Sequence, residues 1–255
     1  MSQTPLLVLL GEGQLPCYTV TERDAQSIYA EIFTKREYLR DGDRLPDDAT
    51  IVDVGANIGL FTLFMKKEFP ASTVLAFEPM SGPRGALERN VALHELDGVT
   101  VHRVGLGAEQ QEVTFSYFAS IPAISTRYPD EKAVHRSMLV ERFGQAVADE
   151  LMRTESETVT VRRLSDVLRE RGDVDRVDLL KVDVEGAELD VLQGIDDEHW
   201  PRVRRAAIEV QDSGWRVAAI EKLLASKGFT VEVSRPQNIP DALDQFMVYA
   251  HRTGS

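Results

Sequence analysis

This 255-residue chain has one cysteine, Cys17, and only two tryptophans. A lone thiol excludes an internal disulfide and suits a reducing compartment, so the fold must stand on packing. Pro16 and Tyr18 flank Cys17 and supply no base, which argues against a nucleophile. Positive charge is also short: 29 Lys and Arg stand against 42 Asp and Glu, a formal net charge of −13. Nucleic-acid binding draws on clustered Lys and Arg, so no nucleic-acid partner is expected. Long apolar runs are missing as well. Pro5 to Leu10 is too short for a signal core and lacks a basic flank, and no window reaches transmembrane length. A soluble, cytoplasmic protein without a membrane partner is expected.

Hydrophobic residues make up 43% of the chain, enough to bury one large α/β domain or two small ones. Residues 1–48 form an N-terminal segment. Short strands at Leu6–Leu10 and Cys17–Val20 surround Gly11-Glu12-Gly13. Thr21 then caps a helix whose apolar stripe is Ile28, Ile32, Phe33 and Leu39. Asp41-Gly42-Asp43 and Pro46-Asp47-Asp48 close the segment as turns. Over 49–255 strands alternate with helices: strands at Ile51–Val54, Thr73–Phe77, Val99–Val104, Glu112–Phe118, Thr158–Arg162, Val177–Val182 and Ala206–Val210, with a terminal pair at Phe229–Val233 and Phe246–His251. An irregular insertion covers 119–157, with a helical stretch near Lys132–Leu151. That alternation specifies a mainly parallel sheet with helices on both faces.

Ligands of such sheets sit beyond the carboxyl ends of the strands. Acids recur there: Asp53, Glu78, Asp183 with Glu185, and Glu209 with Asp212. The first end reads Val52-Asp53-Val54-Gly55-Ala56-Asn57-Ile58-Gly59. Its glycine spacing differs from the dinucleotide fingerprint, and Asp53 would repel a pyrophosphate. Facing the opening, Asp53 suits an ammonium or sulfonium group, while Gly55 lets a ligand lie against the backbone. Asn57 tolerates left-handed geometry, or simply caps the next helix. Glu78, fixed by Pro79, can accept both hydroxyls of a ribose. Together these acids describe S-adenosylmethionine better than NAD.

Asp183 and Glu185, two apart on an extended segment, should share a side. They can bind substrate, assist a proton transfer or hold Mg²⁺. Glu185 can instead stabilise the following helix N-terminus. Converging with Glu209, the acids would need a cation or a shared proton. Asp183, Glu209 and Asp212 are the candidate Mg²⁺ ligands. His135 is the one histidine placed to act as a base, in a segment where a lid would lie.

Val52 to Gly59, Phe77-Glu78-Pro79, Leu180-Lys181-Val182-Asp183-Val184-Glu185-Gly186-Ala187-Glu188 and Ile208-Glu209-Val210 resemble the FkbM family of methyltransferases over about residues 48–252. The resemblance implies a class I methyltransferase fold, a seven-stranded sheet with the last strand antiparallel, and S-adenosylmethionine as cofactor. It implies O-methylation of a secondary metabolite, sugar or lipid, free or bound to a carrier protein. By the same resemblance Asp53, Gly55, Ala56, Asn57 and Gly59 line the methionine part. Glu78 with Pro79 holds the ribose, and Met80, Gly105, Leu106 and Gly107 lie near the adenine. Asp183 sits by the transferred methyl, with Glu185 and Glu209 around it. The N-terminal helix with Tyr29, Glu31, Phe33 and Tyr38 resembles a segment that precedes this domain in members from polyketide and nonribosomal peptide pathways. The resemblance implies that it can close over the cofactor, with Tyr38 as a cofactor contact. A histidine often follows the position of Glu209 in this family. Here Val210-Gln211-Asp212 stands instead, which weakens a histidine base. Ser125, Arg127 and His135 are candidate substrate contacts. Three rival readings remain open: an S-adenosylmethionine cyclase that releases methylthioadenosine, an NAD-dependent oxidoreductase and a non-catalytic docking module.

Overall fold

A computed structural model describes residues 4–12, 14–40, 42–236 and 240–252. Gly13 and Asp41, each part of an expected turn, lie outside the described residues. The strands are β1 Leu6–Leu10, β2 Leu15–Thr19, β3 Thr50–Val54, β4 Thr73–Phe77, β5 Val99–His102, β6 Gly105–Leu106, β7 Gln111–Phe118, β8 Thr154–Arg162, β9 Leu179–Val182, β10 Arg205–Gln211, β11 Phe229–Ser234 and β12 Gln245–Arg252. The helices are α1 Glu22–Tyr29, α2 Leu60–Glu68, α3 Ser81–Leu93, α4 Ala133–Phe143, α5 Gln145–Leu151, α6 Leu164–Arg171, α7 Glu188–Gln193 and α8 Arg216–Ser226.

Seven strands form the main sheet in the order β5-β4-β3-β9-β10-β12-β11. β5, β4, β3, β9 and β10 run parallel, and β12 runs antiparallel to both its neighbours. From β3 the chain winds out to β4 and β5, then returns to β9 on the other side. The strand order therefore reverses between β3 and β9, where such sheets open a crevice. The Asp183 amide donates to the Val54 carbonyl at 3.0 Å and joins the two strand ends.

The two-residue period of a strand sorts the core. Val52, Val54, Leu180, Val182, Ile208 and Val210 meet α6, α7 and α8 through Leu168, Val191 and Leu224. Ile51, Ala76, Leu179 and Ala207 turn to the other face. There they meet Leu60 and Leu63 of α2, together with Leu10, Ile32 and Tyr38 of the N-terminal segment. Asp53 and Lys181 share that second face, directly opposite one another in the β3–β9 register.

Besides shifts of one or two residues at strand ends, the structure differs from the sequence expectation in four places. The helix after Thr21 ends at Tyr29, and Ala30–Thr34 continues as a wider π-turn in which the Tyr29 ring stacks on Phe33 at 4.7 Å. Gly144, at φ 82°, splits the expected 132–151 helix into α4 and α5. β8 begins at Thr154, four residues early. Its first residues are polar and exposed, so no hydrophobic alternation marks them, yet they pair with β7. β6, β7 and β8 form a separate three-stranded sheet. No described helix is long and apolar enough to cross a membrane.

Candidate active site

The loop after β3 is built by close approach. Gly55 takes φ 78°, and a Cβ there would stand 1.7 Å from the Asp183 carbonyl oxygen, so only glycine fits. The Gly55 and Ala56 amides donate to the Phe77 carbonyl at 3.0 and 2.9 Å. Asn57, also left-handed at φ 49°, turns its amide to Glu78 Oε2 at 2.9 Å. The Met80 amide donates to Glu78 Oε1 at 2.8 Å. Burial pushes the Glu78 carboxyl up to about 7, against the pull of those two amides.

Two cavities meet over this loop. One, of about 740 Å³, runs past Gly55, Asn57, Glu78, Pro79, Met80, Gly105 and Leu106, with Ser125 and Arg127 across from them. The other, of about 490 Å³, is bounded by Glu31, Tyr38, Ala56, Phe61, Lys181 and Glu209. Gly55, Asn57, Asp183 and Glu185 line both.

Acids converge at that shared wall. Carboxylate oxygens of Asp183, Glu185 and Glu209 lie within 4.8 Å of one another. Glu185 arrives through a left-handed turn, φ 55°, rather than along an extended strand. Two buried lysines offset the repulsion. Lys181 Nζ lies 3.3 Å from Asp53 Oδ1 and 3.5 Å from Asp183 Oδ2, and donates to the Gly55 carbonyl at 2.7 Å. Burial alone would lower the Lys181 ammonium, but the Asp53 and Asp183 charges raise it. Lys132, from the insertion, pairs with Glu185 and donates to Gln211 Oε1 at 2.6 Å.

The remaining repulsion raises the proton affinity of the other acids. Burial and the Asp183 charge push Glu31 up to about 8, and the same two causes lift Glu209 well above the carboxylate range. Tyr38 Oη lies 3.1 Å from Asp183 Oδ2 and 2.9 Å from Glu209 Oε2. One hydroxyl has one proton to donate. A protonated Glu209 can therefore donate to Tyr38 while Tyr38 donates to Asp183. The Gln245 amide holds the other Glu209 oxygen.

Several expected residues stand elsewhere. Asp53 is fully buried and does not face the opening: Thr62 Oγ1 donates to its Oδ2 at 2.8 Å, and Lys181 covers its Oδ1. Strand alternation turns it under the loop. Asp212 does not join the acids, because its Oδ1 accepts the amides of Trp215, Arg216 and Val217 at the start of α8. That removes it from the expected Mg²⁺ set. His135 lines a separate apolar pocket, where burial first and Lys132 second lower its imidazole to about 4. Gly59 caps α2 at φ 87° and borders neither cavity. Lys181, Lys132 and Gln245 join the site without being among the residues expected there. Lys181 carried a signal, a cation in the apolar run Leu179-Leu180-Lys181-Val182, since such a residue is buried only when paired.

The sheet order, with one antiparallel strand and a crevice at the β3–β9 reversal, is that of a class I methyltransferase. A family profile described as "Methyltransferase FkbM domain" matches residues 53–231. The chain is 42% identical over 229 residues to Methyltransferase 1 of Beauveria bassiana, covering 90% of each chain. It is 38% identical over 223 residues to the 31-O-demethyl-FK506 methyltransferase FkbM of Streptomyces tacrolimicus, covering 83% of this chain and 84% of that one. The crystal structure of an FkbM methyltransferase from Methylobacillus flagellatus shares the fold, at TM-score 0.54 and 18% identity, over 91% of this chain and 56% of that one. The chain belongs to the FkbM methyltransferase family and is an S-adenosylmethionine-dependent methyltransferase.

The residues present fit that cofactor. The match lies in the lining of the larger cleft. Pro79, Met80 and Leu106 give it an apolar side for a flat base, Glu78 a carboxylate for hydroxyls, and Asp183 a carboxylate near the place of a cation.

Proposed function

We propose that the chain methylates a hydroxyl oxygen of a small molecule, a secondary metabolite or sugar, free or held on a carrier protein. The observation that carries this reading is the position of Asp183, which borders both cavities and is held by Tyr38 and Lys181. The cofactor, when bound in the larger cleft, supplies an activated methyl group on a cationic sulfur. Glu78 binds the ribose, Gly55 and Asn57 flank the methionine part, and the smaller cavity receives the acceptor. Holding the acceptor oxygen in line supplies most of the rate. Asp183 takes the hydroxyl proton, a step a positioned carboxylate can assist. Tyr38 and Glu209 keep Asp183 in place. The name of the Streptomyces relative, which concerns a 31-O-demethyl compound, agrees with an oxygen acceptor. Magnesium has no part in the proposal: Asp212 caps α8, and Lys132 and Gln245 already hold Glu185 and Glu209.

The test incubates the protein with S-adenosylmethionine and a panel of hydroxylated acceptors. S-adenosylhomocysteine that appears with an acceptor, and an acceptor heavier by one methyl on oxygen, supports the reading. Methylthioadenosine without any acceptor would mean cyclisation of the cofactor instead.

A further inference from the structure

Outside the two cavities, a third of about 530 Å³ opens between α1, the loop at 121–124 and α4. Its wall is apolar, made by Ile121, Ile124, Met138, Leu139 and Phe143. Three nitrogen-bearing side chains border it: Arg23, Arg142 and His135. Arg23 and Arg142 both lie over the Phe143 ring, 5.8 and 5.1 Å from its centroid. Among the described residues neither guanidinium has a carboxylate oxygen within 4.0 Å. Most other arginines of this acid-rich chain hold an acid instead. His135 Nδ1 is buried without a hydrogen-bond partner.

We propose that this pocket binds an apolar body that carries one anionic group, such as a fatty or aromatic carboxylate. The apolar wall takes the body by area removed from water. The guanidiniums meet the anion at the rim, where a planar fork matches a carboxylate. His135 adds a hydrogen bond once a polar atom reaches it.

The pocket shares a wall with the larger cleft. Pro122, Ala123 and Ser125 face the cleft, while Ile121 and Ile124 face the pocket. Two sources therefore supply the same chemistry: the tail of an acceptor whose hydroxyl reaches past Ala123, which also borders the smaller cavity, or a separate effector. The first source rests on the methyl-transfer reading. Binding itself does not.

Fluorescence of anilinonaphthalene sulfonate, an apolar anion, reports occupancy directly. We expect decanoate to displace it at a concentration at least about tenfold lower than decanol does, since the two differ in charge. The double variant Arg23→Gln/Arg142→Gln, both exposed residues, should lose that preference with an unchanged circular dichroism spectrum. Met138→Trp, which fills the pocket, should abolish displacement. Equal displacement by acid and alcohol in the wild type, or unchanged displacement in Met138→Trp, would overturn the proposal. A series of ω-hydroxy fatty acids with S-adenosylmethionine separates the sources. S-adenosylhomocysteine released in the wild type but not in Met138→Trp marks an acceptor tail. Binding without release marks an effector.

Discussion

The hydroxyl of Tyr38 lies 2.9 Å from Oε2 of Glu209, although 171 residues separate them. The N-terminal segment thus reaches the end of β10 and sets the geometry of the acids there. Tyr38→Phe keeps the edge contact with Phe61, at 5.5 Å, and loses only the hydroxyl. Hydrogen bonds to charged groups are worth about 1.5–3 kcal/mol, and losing them frees Asp183 to turn away, so turnover should fall at least about tenfold. Initial rates at saturating cofactor check this. A rate within twofold of the wild type would remove Tyr38 from the reaction.

The Asp53–Lys181 pair sits beneath the cofactor loop, 0% and 3% exposed. Lys181→Met leaves a buried carboxylate without its cation. Breaking a buried pair from one side costs about 3–5 kcal/mol, so the urea midpoint should drop sharply. Asp53→Asn/Lys181→Met should recover part of that loss. A single variant as stable as the wild type would contradict the pairing.

Glu188, 1% exposed, accepts the Gly186 amide at 2.7 Å, and burial raises its carboxyl from 4.5 to about 7. The folded state therefore binds this proton more tightly than the unfolded chain. The contribution to stability is complete below pH 4.5 and is lost as pH rises through 7. Its full size is on the order of 3 kcal/mol. Glu188→Gln keeps an acceptor for Gly186 and removes the titration. Its melting temperature should fall less steeply between pH 4.5 and 7 than that of the wild type, read by calorimetry across that window. Parallel curves would contradict the assignment.

Gly55→Ala tests the cofactor loop. A Cβ at 1.7 Å from the Asp183 carbonyl must push β3 and β9 apart at their ends. Left-handed strain alone costs about 1–3 kcal/mol, and the clash adds to it. Cofactor binding should be lost even under conditions where the variant stays folded. Unchanged affinity would mean that the loop does not flank the ligand.

The sheet was legible because its strands are short apolar runs that end on acids and are bounded by glycine or proline. Ile51–Val54, Thr73–Phe77 and Ala206–Val210 stand within one residue of where periodicity puts them. β8 extends beyond its apolar pattern because its polar first half is held by pairing with β7 and not by burial. At the site, glycine spacing marked the loop, yet the direction of Asp53 depends on strand alternation and on its register with Lys181. Lys132 comes from a segment 51 residues away from Asp183, a distance that no local pattern bridges, and Tyr38, 145 residues away, is expected at the site only through the family resemblance. His135, a histidine in an irregular stretch, suits a base by sequence, but the turn of α4 directs it to a separate apolar pocket.

Isothermal titration of S-adenosylmethionine into Glu78→Ala and Asp183→Ala, with turnover measured on both, tests the central division between a ribose-holding acid and a proton-accepting one. Glu78→Ala should weaken cofactor binding at least about tenfold, as expected for a carboxylate lost from two hydroxyls. Asp183→Ala should bind within about tenfold of the wild type and lose turnover. Binding lost in Asp183→Ala and kept in Glu78→Ala would contradict the account.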